Sequence, residues 1–320
     1  MRGLDGEKMT AVRFDLVALG EPLVEFNQTR GEGGAYLHGF GGDTSNCAIA
    51  AARLGACAAY VTRVGDDAFG RQFVELWRRE GVDVGGVGVD PDAPTGIYFV
   101  VHGPRGHEFS YLRAGSAASR LRPADLPLEV VRASKVLHVS GISQAISASA
   151  CDACFLAMES ARGSGVKISY DTNLRLKLWP LARARAIIRA SLALADWALP
   201  SLEDAALLFG RDQPDAIVDA CHADGAPLVV LRCGAAGCVV SDGRRRERIA
   251  GHRVAAVDAT GAGDCFDGAF AARLVAGDDP FTAARYANAA AALATTGYGA
   301  VAPLPRHREV VALLGEAMAT

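Results

Sequence analysis

Short apolar runs rich in β-branched residues alternate with helix-like stretches along most of this chain, and that alternation constrains the fold more than any other feature. The candidate strands cover residues 14–19, 58–64, 136–140, 166–171, 196–199, 228–232 and 238–240. The helix-like stretches cover residues 44–54, 68–80, 149–163, 181–194, 202–209 and 214–224, with Asp43 as the expected N-cap of the first. This order predicts an α/β protein with a doubly wound, mostly parallel sheet and helices on both faces. Ligands bind such a sheet at the carboxyl ends of its strands.

Residues 95–113 break this rhythm, because they alternate with a period of two around the turn sequence Gly103-Pro104-Arg105-Gly106. Together with a glycine-rich, aromatic segment, they predict a small inserted β-sheet formed by about 21–40 and 93–114. The rest of residues 13–320 is predicted to form one α/β domain. Residues 1–12 are polar and aperiodic, which indicates a flexible tail.

Composition narrows the classes of partner and compartment. Half of the 320 residues are hydrophobic, which is enough to bury a large core. The net charge of −3 argues against nucleic acid and anionic membranes as partners, and the longest apolar run is far shorter than the ~20 residues of a membrane span. Eight cysteines without a recognisable secretion signal indicate reduced thiols in a cytoplasmic protein.

The stretch Asp258-Ala259-Thr260-Gly261-Ala262-Gly263-Asp264 leads into a predicted helix that ends near Ala276, before Gly277. The first turn of a helix has unpaired backbone N–H groups and a positive dipole end, and these small residues would let an anion approach it. The stretch therefore predicts a phosphate cradle. Asp264 is expected to be ionised at the helix mouth, where it could take a proton from an attacking hydroxyl. The alternative is a tight glycine turn with Asp264 as a helix cap.

This motif resembles the C-terminal signature of the PfkB, or ribokinase-like, family of sugar kinases. Near the other end, Gly41-Gly42-Asp43-Thr44-Ser45-Asn46 and residues 64–70 resemble the family's first signature, so the resemblance covers about residues 13–305. It implies a ribokinase-like fold, the use of ATP and Mg²⁺, and a lid role for the small sheet over the sugar site. In several family members that sheet also forms a dimer interface, which implies a homo-oligomer.

The family resemblance also implies residue roles around the transferred phosphate. The amides of Gly261, Ala262 and Gly263 would form an anion hole, and Asp264 would be the catalytic base. The chain has no GxxxxGK[ST] sequence, so a P-loop is excluded. The implied ATP contacts instead lie after two strands and in a late helix, at Ser201, Arg232, Gly234, Ala235, Gly237 and Asn288.

The metal positions are less well matched. The family carries an Asn-x-x-Glu motif that helps to order Mg²⁺, and this chain has Ser201-Leu202-Glu203-Asp204 in its place. Asp204 keeps a hard oxygen ligand of the kind Mg²⁺ prefers. Asp258 and Thr260 could contribute to a monovalent-cation site for K⁺, as in some family members. Because both motif residues are changed, a catalytically silent sugar-binding or regulatory protein stays open as an alternative.

Arginines near the predicted sugar site suggest a charged substrate. Alternation places Phe109, Tyr111 and Arg113 on one face of a strand of the small sheet, while Arg175 follows a core strand at its carboxyl end. Two guanidinium groups at a sugar site would suit a carboxylate. The alternative is that both arginines lie on the surface and pair with acids.

Five stretches resemble 2-keto-3-deoxygluconate kinases more narrowly, at residues 20–24, 95–98, 111–117, 137–142 and 171–175. The resemblance implies contacts of the keto acid with Gly42, Tyr98, Tyr111, Arg113 and Arg175. The full predicted sugar-binding set is Gly41, Gly42, Asp43, Asn46, Tyr98, Tyr111, Arg113 and Arg175. One departure is the loop at residues 296–300, which lacks an acidic residue that some of these kinases carry. A fructokinase-like or ribokinase-like enzyme acting on a neutral sugar is the alternative.

Overall fold

A computed structural model describes residues 11–29, 34–103 and 106–319. The strands are β1 Phe14–Leu19, β2 Leu23–Gln28, β3 Tyr36–Gly41, β4 Ala58–Gly65, β5 Val82–Asp90, β6 Gly96–Gly103, β7 Gly106–Leu112, β8 Ser134–Ser140, β9 Lys167–Asp171, β10 Trp197–Ala198, β11 Leu228–Arg232, β12 Cys238–Ser241 and β13 Arg246–Ile249. The α-helices are α1 Asp43–Arg53, α2 Ala68–Arg79, α3 Leu128–Arg132, α4 Gly141–Ala145, α5 Ala148–Gly163, α6 Leu181–Leu192, α7 Leu202–Phe209, α8 Pro214–Ala223, α9 Ala262–Val275, α10 Pro280–Ala294 and α11 His307–Ala319.

The large sheet has nine strands in the order β13-β12-β11-β10-β9-β8-β1-β4-β5. Strands from β11 to β5 are parallel to their neighbours, while β12 and β13 pair antiparallel at one edge. The chain first adds β4 and β5 on one side of β1 and later adds β8 to β11 on the other. The order therefore reverses between β1 and β8, where a ligand crevice is expected. The predicted doubly wound α/β fold is confirmed.

The core lies on both faces of this sheet, as the alternation of β1 shows. Leu16 and Ala18 pack in one cluster with α1, α2, α9 and α10. Val17 and Leu19 pack in a second cluster with α5, α6, α7 and α8. Because helices cover both faces, successive β1 residues are buried and the strand reads as a continuous apolar run.

The small sheet has four strands in the order β3-β2-β6-β7. Strands β2 and β3 follow β1, and β6 and β7 follow β5, so the sheet is inserted into the α/β domain. Strands β6 and β7 form the predicted antiparallel hairpin. Residues 104 and 105 of the predicted turn, and most of the predicted tail at 1–12, lie outside the described residues.

One local expectation is wrong, and one strand was not predicted. Asp43 is the first residue of α1, and Gly42 is its N-cap, with φ of 102°. A Cβ at Gly42 would lie 2.3 Å from Glu21 O, so the close backbone contact selects glycine there. Strand β5 was missed because three glycines lower its strand propensity, and its pairing with β4 decides the conformation instead.

Helices α1 and α9 contact each other closely, although more than two hundred residues separate them. A Cβ at Gly268 would lie 2.4 Å from Cys47 O and 2.9 Å from Ala50 Cβ. This contact brings the N-terminal turns of both helices to one end of the sheet. None of the helices in the described part of the chain is long and apolar enough to cross a membrane.

Candidate active site

The N-terminus of α9 has the conformation that the glycine motif predicts. Gly261 is the N-cap, with φ of 77°. A Cβ at Gly261 would lie 2.9 Å from Ala300 O, so the neighbouring loop leaves no room for a side chain. The first hydrogen bond of the α9 ladder runs from Cys265 N–H to Gly261 O, at 2.8 Å. The amides that come before Cys265 in this turn therefore have no acceptor within the helical ladder. The Ala262 amide already contacts Ala259 O at 3.2 Å. The anion-hole role of these amides stays a prediction.

Asp258 fastens this turn to the loop after α10. Its Oδ1 accepts hydrogen bonds from Thr260 N at 3.0 Å and Thr260 Oγ1 at 2.7 Å, while its Oδ2 accepts one from Gly299 N at 3.0 Å. Asp258 and Thr260 therefore present oxygen atoms close together beside the turn. Such atoms would suit a monovalent cation, and that assignment stays a prediction.

Asp264 is the third residue of α9, and its side chain reaches α1 instead of capping its own helix. Its Oδ2 accepts a hydrogen bond from Asn46 Nδ2 at 2.8 Å. Burial raises the pKa of Asp264 from its ordinary 3.8 to about 7, and the nearby charges of Asp43 and Asp171 act in the same direction. The hydrogen bond from Asn46 and the charge of Arg232 oppose that rise in pKa. The sequence predicted an ionised carboxylate here, and the raised pKa leaves Asp264 only partly ionised near neutral pH.

Asn173 joins two carboxylates at the switch point. Its Nδ2 donates to Asp43 Oδ2 at 3.0 Å, and its backbone N–H donates to Asp171 Oδ1 at 3.1 Å. Its φ of 27° is positive, which is uncommon for a residue other than glycine and frequent at functional sites. Asp171 and Asn173 were not predicted as site residues, although their place directly after a core strand was a signal for them.

Two buried oxygen atoms of α1 have no hydrogen-bond partner within the described residues: Asp43 Oδ1 and Asn46 Oδ1. Buried polar atoms are nearly always paired in folded proteins. Both atoms belong to residues that contact the polar side chains of the switch point. A bound hydroxyl group would satisfy them, which fits the predicted sugar-binding roles of Asp43 and Asn46.

Arg232, at the end of β11, contacts three protein acceptors beneath the α9 turn. Its Nη2 lies 2.5 Å from Asp171 Oδ1, and its Nη1 lies 2.9 Å from Asp267 Oδ1 and 3.0 Å from Gly263 O. Only 12% of the Arg232 side chain is exposed. Asp267 was not predicted as a site residue, since one carboxylate inside a small-residue helix gives no recognisable signal.

The other predicted ATP contacts fall into two places. Gly234 and Ala235 form a short 3₁₀ turn after β11, and Gly237 follows it with φ of 97°. A Cβ at Gly237 would lie 2.0 Å from Ile249 O, and Asn288 Nδ2 of α10 contacts that same oxygen at 3.4 Å. Gly237 and Asn288 thus meet at the end of β13, next to the turn. Their ATP-binding roles stay predictions.

Ser201 and Asp204 lie at the start of α7. Ser201 is the N-cap, and its Oγ accepts a hydrogen bond from Asp204 N at 3.2 Å. Asp204 Oδ2 accepts one from Leu174 N at 3.0 Å, and burial raises the pKa of Asp204. No group of three metal-ligating side chains occurs within the described residues. A single carboxylate fits Mg²⁺ held mainly by water and phosphate oxygens, as is usual for that ion.

The predicted tyrosines of the small sheet share one face. Tyr98 and Tyr111 stack with ring centroids 5.9 Å apart, and Tyr98 OH donates to the buried Glu25. Gly41 lies against this face, since a Cβ there would be 2.6 Å from Tyr98 OH. Glu25 was missed because it lies on a strand that the sequence pattern did not resolve.

Both predicted arginines contact acids. Arg113 lies one residue beyond β7, and its Nη2 donates to Glu21, whose side chain is fully buried. Arg113 Nε is buried and has no partner among the described residues. Arg175 is 46% exposed and lies 3.7 Å from Asp204 Oδ2. Both arginines therefore pair with acids, as in the alternative, but the Arg113 side chain is only 9% exposed and does not lie on the surface.

Comparison with known proteins adds a family and relatives. The model of the pfkB family of carbohydrate kinases matches residues 6–307. A 2-dehydro-3-deoxygluconokinase from Thermoproteus tenax is 37% identical over 97% of this chain and 97% of its own. Fructokinase-1 from Oryza sativa subsp. japonica is 36% identical over 94% of this chain and 98% of its own. The crystal structure of a putative ribokinase II from E. coli, in complex with ATP and Mg²⁺, matches with a TM-score of 0.87 and 27% identity over 94% of this chain and 99% of its own.

Proposed function

The chain belongs to the pfkB family of carbohydrate kinases, and from this premise we propose that it phosphorylates 2-keto-3-deoxygluconate on its terminal hydroxyl. It is a sugar kinase, that is, a phosphotransferase with an alcohol group as acceptor. The proposed phosphoryl donor is ATP, the proposed metal is Mg²⁺, and the product would be 2-keto-3-deoxy-6-phosphogluconate. The observation that carries the catalytic part is the partly buried Asp264, which lies at the α9 turn and contacts Asn46 of the predicted sugar site.

Asp264 would accept the proton of the sugar hydroxyl as that oxygen bonds to the terminal phosphorus of ATP, while the bond from that phosphorus to ADP breaks and ADP leaves. A pKa near 7 makes this carboxylate a stronger base than an ordinary aspartate, while part of it is still ionised at neutral pH. The amides of the α9 turn would stabilise the developing phosphoryl charge, since they point out of the helix end. Asp204 would hold Mg²⁺ through water, and the ion would neutralise charge on the phosphate oxygens.

Two observations support a keto acid as the substrate. A 2-dehydro-3-deoxygluconokinase, which is named for the same compound, is 37% identical over nearly the whole chain. Arg113 Nε is buried and has no partner within the described residues, so its N–H could donate a hydrogen bond to a substrate carboxylate. The stacked Tyr98 and Tyr111 would pack beside that carboxylate.

A neutral sugar is the second candidate, and the small sheet contains a specific reason for it. Glu21 already neutralises Arg113, and Glu25 adds a buried acid next to Tyr98. A fructokinase is nearly as similar to the chain as the keto-acid kinase, at 36% identity. The two candidates differ in whether Arg113 binds a second carboxylate, that of the substrate, in addition to Glu21.

Turnover of ATP with a sugar panel tests this choice. The panel contains both C4 epimers of the keto acid, fructose and ribose, each assayed with Mg²⁺ at saturating ATP. We expect kcat/KM for one keto acid to exceed that for fructose by about a hundredfold, the discrimination that a charge-assisted hydrogen bond supplies. A preference for fructose or ribose replaces the keto-acid assignment with the neutral-sugar one. Absence of turnover with every sugar would support a silent binding protein.

Two further properties belong to the same proposal. The oxygen atoms of Asp258 and Thr260 support a K⁺ site, which predicts faster turnover in KCl than in tetramethylammonium chloride at equal ionic strength. Leu37 and Leu112 of the small sheet are 56% and 66% exposed, which supports a homo-oligomer formed through that sheet. A cytoplasmic location stays a prediction from composition.

A further inference from the structure

Arg232 connects three segments that meet under the phosphate cradle. Its guanidinium donates to Gly263 O in the first turn of α9, to Asp267 one turn later, and to Asp171 at the end of β9. A planar guanidinium has donors in fixed directions, so three acceptors hold both the arginine and the segments in one arrangement. The arginine is therefore part of the scaffold of the turn.

The contact with Gly263 O acts directly on the cradle. The carbonyl of Gly263 and the N–H of Asp264 belong to the same peptide unit. In a planar trans peptide these two groups point in opposite directions. When Arg232 holds the carbonyl, it fixes the direction in which the Asp264 amide points. A charged donor on the carbonyl also polarises the N–H on the other side of the peptide.

Arg232 also supplies positive charge to a group of carboxylates. Asp171 and Asp267 are almost completely buried at this end of the sheet, and Asp43 and Asp264 are partly buried beside them. Arg232 is within hydrogen-bond distance of two of them, at Asp171 and Asp267. A buried charge without a partner destabilises the folded state, so the acids around the base depend on this cation.

We infer that Arg232 is a positioning residue for phosphoryl transfer, which fixes the Gly263–Asp264 peptide of the cradle and balances the charge of the carboxylates around Asp264. This differs from the sequence-based assignment of Arg232 as an ATP ligand, because Nη1 and Nη2 already have protein acceptors. The inference rests on the proposed role of Asp264 as the base.

The pH dependence of catalysis reports on the charge-balancing role. The titratable or charged groups that act on Asp264 come from the helices and strands packed around it: Asp43, Cys47, Tyr98, Asp171, Arg232, Cys265 and Asp267. Arg232 is the cation in this set and lowers the pKa of Asp264. Its removal should raise that pKa, so the base would be protonated, and inactive, up to a higher pH.

The experiment compares wild type with Arg232→Met, which removes the charge, and Arg232→Lys, which keeps it but loses the fork. Arg189→Met is the matched control, because the Arg189 side chain on α6 is 61% exposed and pairs with Asp224 after α8, away from the candidate active site. Each protein is assayed with the sugar that wild type turns over fastest. The measurements are kcat, the pH profile of kcat/KM, and calorimetric binding of a non-hydrolysable ATP analogue.

We expect kcat of Arg232→Met to fall about a hundredfold, as for a misplaced reacting group, while analogue binding changes less than about threefold. The acid limb of its kcat/KM profile, the rise in activity on the low-pH side, should move to higher pH by about one unit, as expected when an opposite charge is removed near a carboxylate. Arg232→Lys should lose about tenfold in kcat with its acid limb in place, and Arg189→Met should match wild type.

Other results overturn the inference. Weaker analogue binding with unchanged kcat and acid limb would make Arg232 an ATP ligand, and wild-type values throughout would make it dispensable. If Arg232→Met does not fold, Arg232→Lys and Asp267→Asn are measured in the same way, and unchanged kcat in both is the contrary result. Asp264→Asn is assayed in parallel, because normal turnover in that variant would remove the base assignment itself, whatever the Arg232 variants do.

Discussion

The phosphate cradle and the small sheet use different parts of the chain to present polar groups. At the cradle the backbone is the decisive element, since Gly261 has a positive φ and close contact with Ala300 O. On the small sheet the decisive elements are side-chain pairs, such as Tyr98 with Glu25. A backbone arrangement of this kind tolerates few residue types, whereas side-chain pairs can be exchanged without changing the strands. We infer that the cradle determines the reaction and the small sheet determines which sugar reacts.

The largest effect on kcat is expected for Asp264, the proposed general base at the cradle. Asp264→Asn keeps the shape of the side chain but cannot accept a proton, so kcat should fall about 10²–10⁴-fold, the usual share of a general base. Binding of ATP should be unchanged, as measured by calorimetry. Asp152→Asn, on the exposed face of α5, is the control and should behave as wild type. Near-normal turnover of purified Asp264→Asn would remove the distinction between the two regions.

The next effect separates backbone strain from cradle geometry. Gly261→Ala places a Cβ 2.9 Å from Ala300 O, so the turn or the loop must shift, and we expect kcat to fall about a hundredfold. Gly277→Ala is the matched control, because Gly277 also has a positive φ, of 102°, but no described atom lies within 4 Å of its Cβ position. Both variants should lose stability in thermal unfolding. Equal activity of the two variants would show that the contact at Gly261 is unimportant.

A third comparison lies within the small sheet and its neighbouring loop. Arg113→Ala removes the cationic partner of the buried Glu21 and should lower the free energy of unfolding by about 3–5 kcal/mol. Arg175→Ala, at a half-exposed side chain, should lower it by about 0.5 kcal/mol or less. If the substrate is a keto acid, Arg175→Ala should still lower kcat/KM about ten- to a hundredfold. Urea unfolding and kinetics with the acid and with fructose measure both effects.

The pair also has an internal control. In Glu21→Gln with Arg113→Met, neither charge is left unpaired, so much of the lost stability should return. If the double variant is no more stable than Arg113→Ala, the ion pair does not explain the loss. Equal loss of activity on the acid and on fructose in Arg175→Ala would favour the neutral sugar.

The smallest effect is on stability at the cradle, and its sign depends on pH. The folded protein holds the Asp264 proton up to about pH 7, whereas an unfolded aspartate releases it near 3.8, so this group contributes less to wild-type stability as pH rises between those values. Asp264→Asn has no such proton. It should match wild type near pH 4 and exceed its Tm by a few degrees at pH 8. A Tm difference that does not change with pH would contradict a raised pKa.

The sequence allowed the fold to be predicted where residue patterns depend on local geometry. Alternating runs such as Phe14–Leu19 indicate buried parallel strands, and the period of two at residues 95–113 indicates the hairpin. Partners that meet only in the folded chain could not be predicted in this way. Glu21 and Arg113 are 92 residues apart, and alternation gives the face of a side chain without its partner. The pKa of Asp264 is a further example, because it depends on burial and on Asp43 and Asp171 from other segments.

The close contact of α1 and α9 at Gly268 has a consequence for how the enzyme becomes active during its synthesis. Asn46 and Asp264 are 218 residues apart in sequence, so their hydrogen bond closes a loop that includes most of the chain. Contacts of such long range form late and slow the folding of a protein. A nascent chain that has emerged only as far as β11 has the predicted sugar-binding residues of α1 but lacks Asp264, the proposed base. We therefore expect catalytic competence to appear only after the last third of the polypeptide has docked, and not gradually during translation.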